Sequence, residues 1–534
     1  MSIFVLVFTN RALRADKFAW LATLVCLLLP GQVPAQEIPL VKFTVDRFEV
    51  SGENPLSDEE TQAILEPFIG DHVGLEGLLT AAETLQEAIQ ESGTPFTRVI
   101  LPRQTLQEGV VQLEVIALTV SKVHVSGAEH HSEENIRRSV PDLEEGKQPN
   151  TRRLARSLEI ANRNASKETT LTFKENDEEP GTLEGTLEVE DKRPWNIFLS
   201  ADNSGSSEIG TVLSTLGASH DNLFGMDHVG SVGYTTAPEH SSRLDQWAAS
   251  YYAPIYSWGG AFLMYYVESD VDTGLLLDVF EVSGSGQFGG VRYSQEFYRA
   301  GPLTHRATLG FDDKLFENDV LLDADNLASD VRSQPATLQY SGEFETYPWS
   351  SDFHIGYSRN IPGDGRNSTP YYEANRAGAP EDWDATRGGG SLSYSFNNGV
   401  VARGIMDAQY TKDPLIPGEQ FGLGGANSVR GFEERELSGD YGVRLSAELW
   451  SPPVEFVGDV RFLGFVDGGR IRRRGDLIAG EPREDDISSY GVGLRWQWKE
   501  TISISADAAH INQEADVEDN SSGTEGHFSM LLRF

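Results

Sequence analysis

From Trp195 to Phe534 the chain is written in stretches of about ten residues in which apolar and polar side chains alternate. Such a period of two describes a strand with one apolar and one polar face. Val492, Leu494, Trp496 and Trp498 alternate with Gly493, Arg495, Gln497 and Lys499. Ile502, Ile504, Ala506 and Ala508 alternate with Ser503, Ser505 and Asp507, and Val443, Leu445, Ala447 and Leu449 with Arg444, Ser446 and Glu448. Phe528, Met530, Leu532 and Phe534 close the chain on one face. No convincing helix pattern occurs after Trp195. Alternation fits a soluble sandwich as well as a membrane barrel, whose apolar face meets lipid and whose polar face lines the lumen.

Four features favour the barrel: aromatic strand ends, the terminal phenylalanine, the start of the chain and the absence of cysteine after it. Arg11, Arg14 and Lys17 precede an apolar run from Phe18 to Leu29, broken by Pro30 and Gly31, with a small residue at Ala35. This is the pattern of a secretory leader, residues 1–35. The run is shorter than the roughly 20 residues of a membrane span. The apolar start Ser2–Phe8 has no counterpart in that pattern. Thr23-Leu24-Val25 before Cys26 is not a lipoprotein signal. Cys26 is the chain's one cysteine, so cutting after Ala35 leaves a secreted protein without a disulfide framework. A net charge of −39 argues against nucleic acid as a partner and keeps a slow-folding β-chain soluble.

Residues 195–534, at roughly 20 residues per strand with its connection, make about 16 strands, an even number as bacterial barrels have. Working back from Phe534, long connections (513–525, 471–487, 411–440) alternate with short ones (Lys499-Glu500, Ser451 to Gly458). Short turns face the periplasm and long loops the exterior. Both ends of the barrel then lie on the periplasmic side.

The first half carries an internal repeat. Phe48-Glu49-Val50-Ser51-Gly52 returns as Val123-His124-Val125-Ser126-Gly127, offset by 75 residues, and Ser57 returns as Ser132 at the same offset. Ser57 and Glu60 form a capping box that starts a helix. Leu78, Ala82, Leu85 and Ile89 share a helical face, as do Leu154, Leu158 and Ala161. Val111, Leu113 and Val115, then Leu171, Phe173, Leu187 and Val189, alternate as strands. Each unit reads β-α-α-β-β, over 42–117 and 118–192.

The stretch Phe421-Gly422-Leu423-Gly424-Gly425-Ala426-Asn427-Ser428-Val429-Arg430-Gly431-Phe432 lies in an expected outside loop, yet it is glycine-rich and apolar. Such a loop can fold inward, glycine allowing close approach to the wall. Arg430 is then a buried cation that needs a carboxylate. Taken alone it reads as an exposed loop arginine. Asp467 in Phe465-Val466-Asp467-Gly468-Gly469 is the candidate partner, because the parity of Arg461, Leu463, Phe465 and Asp467 puts it on the lumen face.

Val429-Arg430-Gly431-Phe432 and Phe465-Val466-Asp467-Gly468-Gly469 resemble the two barrel motifs of the outer-membrane polypeptide transporters that share POTRA domains and a 16-stranded barrel. Gly93-Thr94-Pro95-Phe96-Thr97-Arg98-Val99-Ile100-Leu101-Pro102-Arg103-Gln104 resembles the first POTRA of the ShlB/FhaC/HecB-type transporters, the TpsB side of two-partner secretion. The resemblance covers nearly all of the chain after the leader. It implies a mainly β fold, a 16-stranded transmembrane antiparallel barrel (195–534) behind two α+β POTRA domains (42–117 and 118–192). It implies a bacterial outer-membrane location with the POTRA domains in the periplasm. They would capture an unfolded haemolysin- or adhesin-like exoprotein, and the barrel would pass it outward without ATP. It pairs Arg430 with Asp467 inside the barrel and makes Phe534 part of the signal read by the barrel-assembly machinery. Implied partners are the exoprotein, outer-membrane lipid and that machinery. Some members carry an N-terminal plug helix on a long linker; the seven residues between Ala35 and Phe43 leave no room for one.

Other signals are weaker. Gly284-Ser285-Gly286-Gln287-Phe288-Gly289 matches a dinucleotide fingerprint but lacks its helix. His130-His131 has no further metal ligand at useful spacing and reads as a solvated loop. Asn164-Ala165-Ser166 matches a glycosylation site without consequence. No carboxylate pair stands out as a glycosidase would need, so no catalytic residue, metal or cofactor is expected. The rival reading is a barrel-assembly factor of the same superfamily, which usually carries more POTRA units. A diffusion porin would lack the repeats altogether.

Overall fold

The computed structural model describes residues 3–6, 42–105, 108–206, 210–241, 244–269, 274–276, 280–282, 284–317, 321–322, 325–326, 329–455, 458–477, 481–513 and 523–534. The expected leader cut after Ala35 and most of the acidic connection 513–525 lie outside the described residues.

The chain divides into two compact units, one of residues 1–128, 140–154 and 169–190, the other of 129–139, 155–168 and 191–534. In the first unit the Ser57/Glu60 capping box starts helix α1 (Asp58–Leu65). Helix α2 (Glu76–Glu91) buries Leu78, Ala82, Leu85 and Ile89. Leu85 and Ile89 pack on Leu113 and Val115 of a mixed sheet. There Arg47–Gly52 runs parallel to Val110–Ala117, and Thr97–Ile100 antiparallel to it. The expected pattern omits two short strands, Lys42–Val45 and Gly70–Val73, which pair with each other. The second sheet repeats the parallel pair, Thr119–Ser126 beside Thr182–Asp191, with Lys167–Glu175 next in order. A strand Ile3–Leu6 adds antiparallel to the free edge of Lys167–Glu175. Gly52 and Gly127 close equivalent strands at φ +89 and +81, where a Cβ would lie 2.1 Å and 2.3 Å from the carbonyls of Val115 and Val189. That shared steric demand is why the glycine recurs in both copies. The second copy's helices are α3 (Glu133–Ser139) and α4 (Thr151–Ala161).

The second unit contains a closed antiparallel barrel of 16 strands. Its first eight are β1 (Trp195–Asp202), β2 (Leu213–Leu223), β3 (His228–Thr236), β4 (Gln246–Ile255), β5 (Gly260–Ser269), β6 (Gly286–Glu296), β7 (Leu303–Phe316) and β8 (Pro335–Thr346, led by Val331–Ser333). The others are β9 (Trp349–Asn360), β10 (Asp384–Ser395), β11 (Val401–Tyr410), β12 (Tyr441–Trp450), β13 (Asp459–Arg472), β14 (Glu484–Trp498), β15 (Ile502–Gln513) and β16 (Thr524–Arg533). Pairing of β1 with β16, Phe198 opposite Arg533, removes the last sheet edge, which lipid would not tolerate. Leu445, Leu449, Val466, Tyr490 and Val492 are exposed on the outer face. Their strand neighbours Ser446, Glu448, Asp467, Ser489 and Gly493 are buried on the inner one. Connections at the periplasmic end are short, as between β8 and β9 (Tyr347–Pro348). The longest outer loop runs from 411 to 440.

The expectation of no helix after Trp195 fails. Helix α5 (Thr369–Asn375) stands in the outer loop 361–383, after Trp195. Seven residues are too few to display a 3.6-residue period. The legible sign was local: Ser368 at the N-cap and Pro370 in the first turn.

Candidate functional site

The loop 411–440 leaves β11 at the outer end and folds back into the lumen. Its tip sits in an apolar socket. Leu423, Val429, Phe432 and Leu437 pack on Ile471, Ile487 and Ile511, inward residues near the outer ends of β13, β14 and β15. Those isoleucines occupy positions that barrel parity would give to polar residues, a sign of the socket that the sequence carried.

Arg430 is 4% exposed and Asp467 1%. The Asp467 carboxylate accepts from Arg430 Nε at 2.7 Å, Nη2 at 2.8 Å and the backbone N at 3.2 Å. Three donors from one residue fix both the side chain and the loop backbone. Ser446 Oγ donates to Asp467 at 2.6 Å and accepts from Arg430 Nη2 at 3.3 Å. Glu448 lies 3.0 Å from Nη2. The Phe465 ring lies beneath the guanidinium, 3.5 Å from centroid to Cζ, the stacking geometry of a cation on a π face. One buried cation thus meets two buried carboxylates, so desolvation is offset by paired charge and hydrogen bonds.

The other motif residues hold the same clasp. Gly431 has φ +97, and a Cβ there would lie 3.0 Å from that of Ala509. Its N–H donates to His527 Nε2 at 2.8 Å. Val429 and Phe432 are buried in the socket, and Gly469 lies under Leu423, where a Cβ would come within 2.5 Å of its side chain. Phe534 is 68% exposed on the outside, its N–H donating to Ile197 O at 2.9 Å across the barrel seam. Sequence reasoning missed Ser446, Glu448 and His527. All three were legible as inward positions, the first two of β12 and His527 of β16; what the sequence could not give is that the loop folds across to β16.

Glu419, just before the glycine-rich stretch, is a second buried anchor. Lys314 Nζ reaches its carboxylate at 3.0 Å and Arg387 Nη2 at 3.1 Å. Below the loop lies a cavity of about 1340 Å³, lined by Arg292, Asp312, Arg387, Asp407, Arg495 and Asp507 among others. Its charges are largely paired across strands, as in Arg495 with Asp507 at 2.8 Å. The lining on offer is that of a polar, charge-balanced cavity beside an anchored loop.

His131 is not a solvated loop residue. It is 5% exposed because Asp191 draws in the turn before α3, accepting from the backbone N–H groups of Glu129, His130 and His131 at 2.8–3.1 Å. The ring's Nδ1 lies 3.2 Å from Asp191 and its Nε2 3.2 Å from Ser166 Oγ. Asp227, 3.8 Å from Nε2, takes Lys167 Nζ at 2.6 Å and the Tyr256 hydroxyl at 2.7 Å. Burial and the Lys167 charge hold the His131 imidazole below its usual 6.5. Burial works to raise the Asp191 carboxyl, but the three N–H donors outweigh it and leave it below its ordinary value.

A model of the haemolysin secretion/activation protein family ShlB/FhaC/HecB matches residues 186–496. A ShlB-type POTRA domain model matches residues 43–117. The outer membrane transporter CdiB of Escherichia coli O6:K15:H31 is 26% identical over 493 residues, covering 88% of this chain and 77% of that protein. CdiB of Dickeya dadantii is 22% identical over 484 residues, covering 89% and 82%. Among solved structures, CdiB from Escherichia coli aligns with a TM-score of 0.73 at 21% identity, covering 95% of this chain and 93% of that one. CdiB from Acinetobacter baumannii aligns with 0.63 at 19%, covering 94% and 91%.

Proposed function

The chain belongs to the haemolysin secretion/activation protein family ShlB/FhaC/HecB, and we propose that it passes one large exoprotein, unfolded, through its barrel from periplasm to exterior. The chain is an outer-membrane transporter with POTRA structure on the periplasmic side. Residues 1–35 serve as the leader, 42–117 and 118–192 as two POTRA domains, and 195–534 as the channel. The POTRA sheets offer edge strands to the cargo. Edge addition gives affinity through main-chain hydrogen bonds with little sequence demand, which suits a carrier for a long unfolded chain.

The observation that supports this reading most is the loop 411–440 clasped inside a wide barrel by Arg430, Asp467 and Glu448. A plain pore gains nothing from a buried cation in its lumen. A conduit whose loop must hold one register, and yield when a chain passes, does. Phe534 serves the assembly machinery that inserts the barrel, and the outer face meets lipid. No step needs a catalytic group or ATP. The ShlB type of the POTRA match favours secretion over barrel assembly.

The test is deletion of the gene in its own host and tracking of the exoprotein encoded beside it. Export lost, with other outer-membrane barrels at normal abundance, is the expected outcome. A general fall in barrel proteins with the exoprotein still exported would move the function to assembly.

A further inference from the structure

The outer end of the lumen is closed by apolar packing. Val267, Phe288, Phe316 and Ala385, near the outer ends of β5, β6, β7 and β10, turn apolar where the wall below is polar. Tyr372 and Trp383 of loop 361–383 and Leu415 and Ile416 of loop 411–440 fill the space between them, all fully buried. Loop 361–383 is a built element. Asn360 Nδ2 donates to the Tyr372 hydroxyl at 2.9 Å, that hydroxyl donates to Arg332 O at 3.1 Å, and Asn367 Nδ2 donates to Ile361 O at 2.8 Å.

One ion pair ties this lid together. Asp440, at the end of loop 411–440, is fully buried. It accepts from Arg376 Nη2 at 2.8 Å and from Nη1, from Leu415 N at 2.6 Å and from Arg474 N. Arg376 also donates to the carbonyls of Leu415 and, at 3.0 Å, Arg474. One guanidinium and one carboxylate therefore join the loops 361–383, 411–440 and 473–483. The pair is coupled to the cavity below. Gln409 Nε2 donates to Glu419 O at 3.1 Å and to Asp440 O at 3.0 Å, and Gln409 lines the cavity.

We propose that loop 361–383, with α5, is the outer gate of the channel, and that Arg376 and Asp440 are the latch that shuts it and positions the base of the motif loop. The proposal rests on the transport reading. A polypeptide cannot cross a dry apolar seal, since its backbone groups would lose water and gain no partner. The seal must therefore part during export. Loss of a single buried pair frees three loops at once, because breaking it leaves an uncompensated charge that only water can satisfy.

Two measurements on the full-length protein test this. Replacing Gly378 and Pro414 with cysteine puts a thiol on each side of the gate, at positions already in contact: a Cβ at 378 lies 3.9 Å from Pro414 Cγ. The only other cysteine is Cys26. In cells that export the exoprotein through the reduced pair, the oxidised pair should stop export and dithiothreitol should restore it to the level of the two single cysteines. Full export through a chain shown to be cross-linked overturns the gate. The second arm needs no cargo and stands if the cysteine pair does not assemble. Asp440→Asn in a planar bilayer should raise the open fraction at least about a hundredfold. Gating like that of the unaltered protein overturns the latch. A chain that exports nothing even untethered, yet opens in the bilayer when Asp440 is neutralised, refutes the transport reading and leaves the gate intact.

Discussion

Replacing Asp467 with alanine should free the tip of the motif loop and leave the barrel folded. Asp467 takes three of Arg430's hydrogen bonds, one of them from the loop backbone. Its removal leaves a guanidinium that is 4% exposed with Glu448 at 3.0 Å and with Ser446, whose own acceptor is gone. Breaking a buried pair costs about 3–5 kcal/mol. Glu448 keeps the cost near about 3 kcal/mol, because one carboxylate remains to neutralise the cation. Against this, burial of Val429 and Phe432 in the isoleucine socket contributes about 1.5–3 kcal/mol each. Docking therefore weakens by roughly a hundredfold, at about 1.4 kcal/mol per decade, without vanishing. Glu448→Gln keeps the bidentate contact to Asp467 and should cost only about 1 kcal/mol. Hydrogen exchange reads both. Peptides spanning 423–432 should lose protection about a hundredfold in Asp467→Ala and less than about tenfold in Glu448→Gln, with β13 and β14 unchanged. Heat-modifiable mobility reports the barrel. Equal loss in the two variants, or none in Asp467→Ala, would show that apolar packing alone holds the tip and that the clasp reasoning is wrong.

Three further outcomes follow from the geometry. Lysine at Val492, exposed on the outer face near the middle of β14, should destabilise insertion into lipid vesicles by about 2–4 kcal/mol. Trp496→Lys, nearer the periplasmic end, should cost less and inward Gln497→Lys least; equal urea midpoints for the three would mean the faces are misassigned. Gly431→Ala, at φ +97 against Ala509, should strain the clasp by about 1–3 kcal/mol and reduce export. Gly404→Ala, with nothing within 4 Å, should not, and matching secretion by both variants counts against the constraint. Because His131 is held below 6.5, its folded state prefers the neutral ring. That stabilisation is full above pH 6.5 and is lost as pH falls below it, with Asp191 adding a further loss only below 3.8. Thermal stability should therefore fall from pH 7.5 to pH 5.5 and should do so less in His131→Asn; an unchanged pH slope in the variant removes His131 as the cause.

The period of two gave the strands, the aromatic strand ends, terminal phenylalanine and leader pattern pointed to a membrane barrel, and the connection lengths gave its direction. A strand's alternation is a local property, and a closed sheet between lipid and water leaves it one use. The β-α-α-β-β repeat was equally legible, since capping residues, helical faces and Gly52 with Gly127 are local demands. Arg430 and Asp467 could be paired from the sequence because glycines marked an inward loop and parity set the face of Asp467. What parity cannot give is the neighbour. Ser446 meets Asp467, and Glu448 lies opposite Phe465, through the register of β12 and β13. His527 reaches Gly431 because the loop folds across to β16. Arg376 and Asp440, Lys314 and Glu419, and the buried His131 likewise join residues far apart in sequence. Each is a charged or polar group whose partner is chosen by burial. Removal from water makes an ion or a donor require one particular neighbour, and only the closed three-dimensional packing decides which side chains lose their water together.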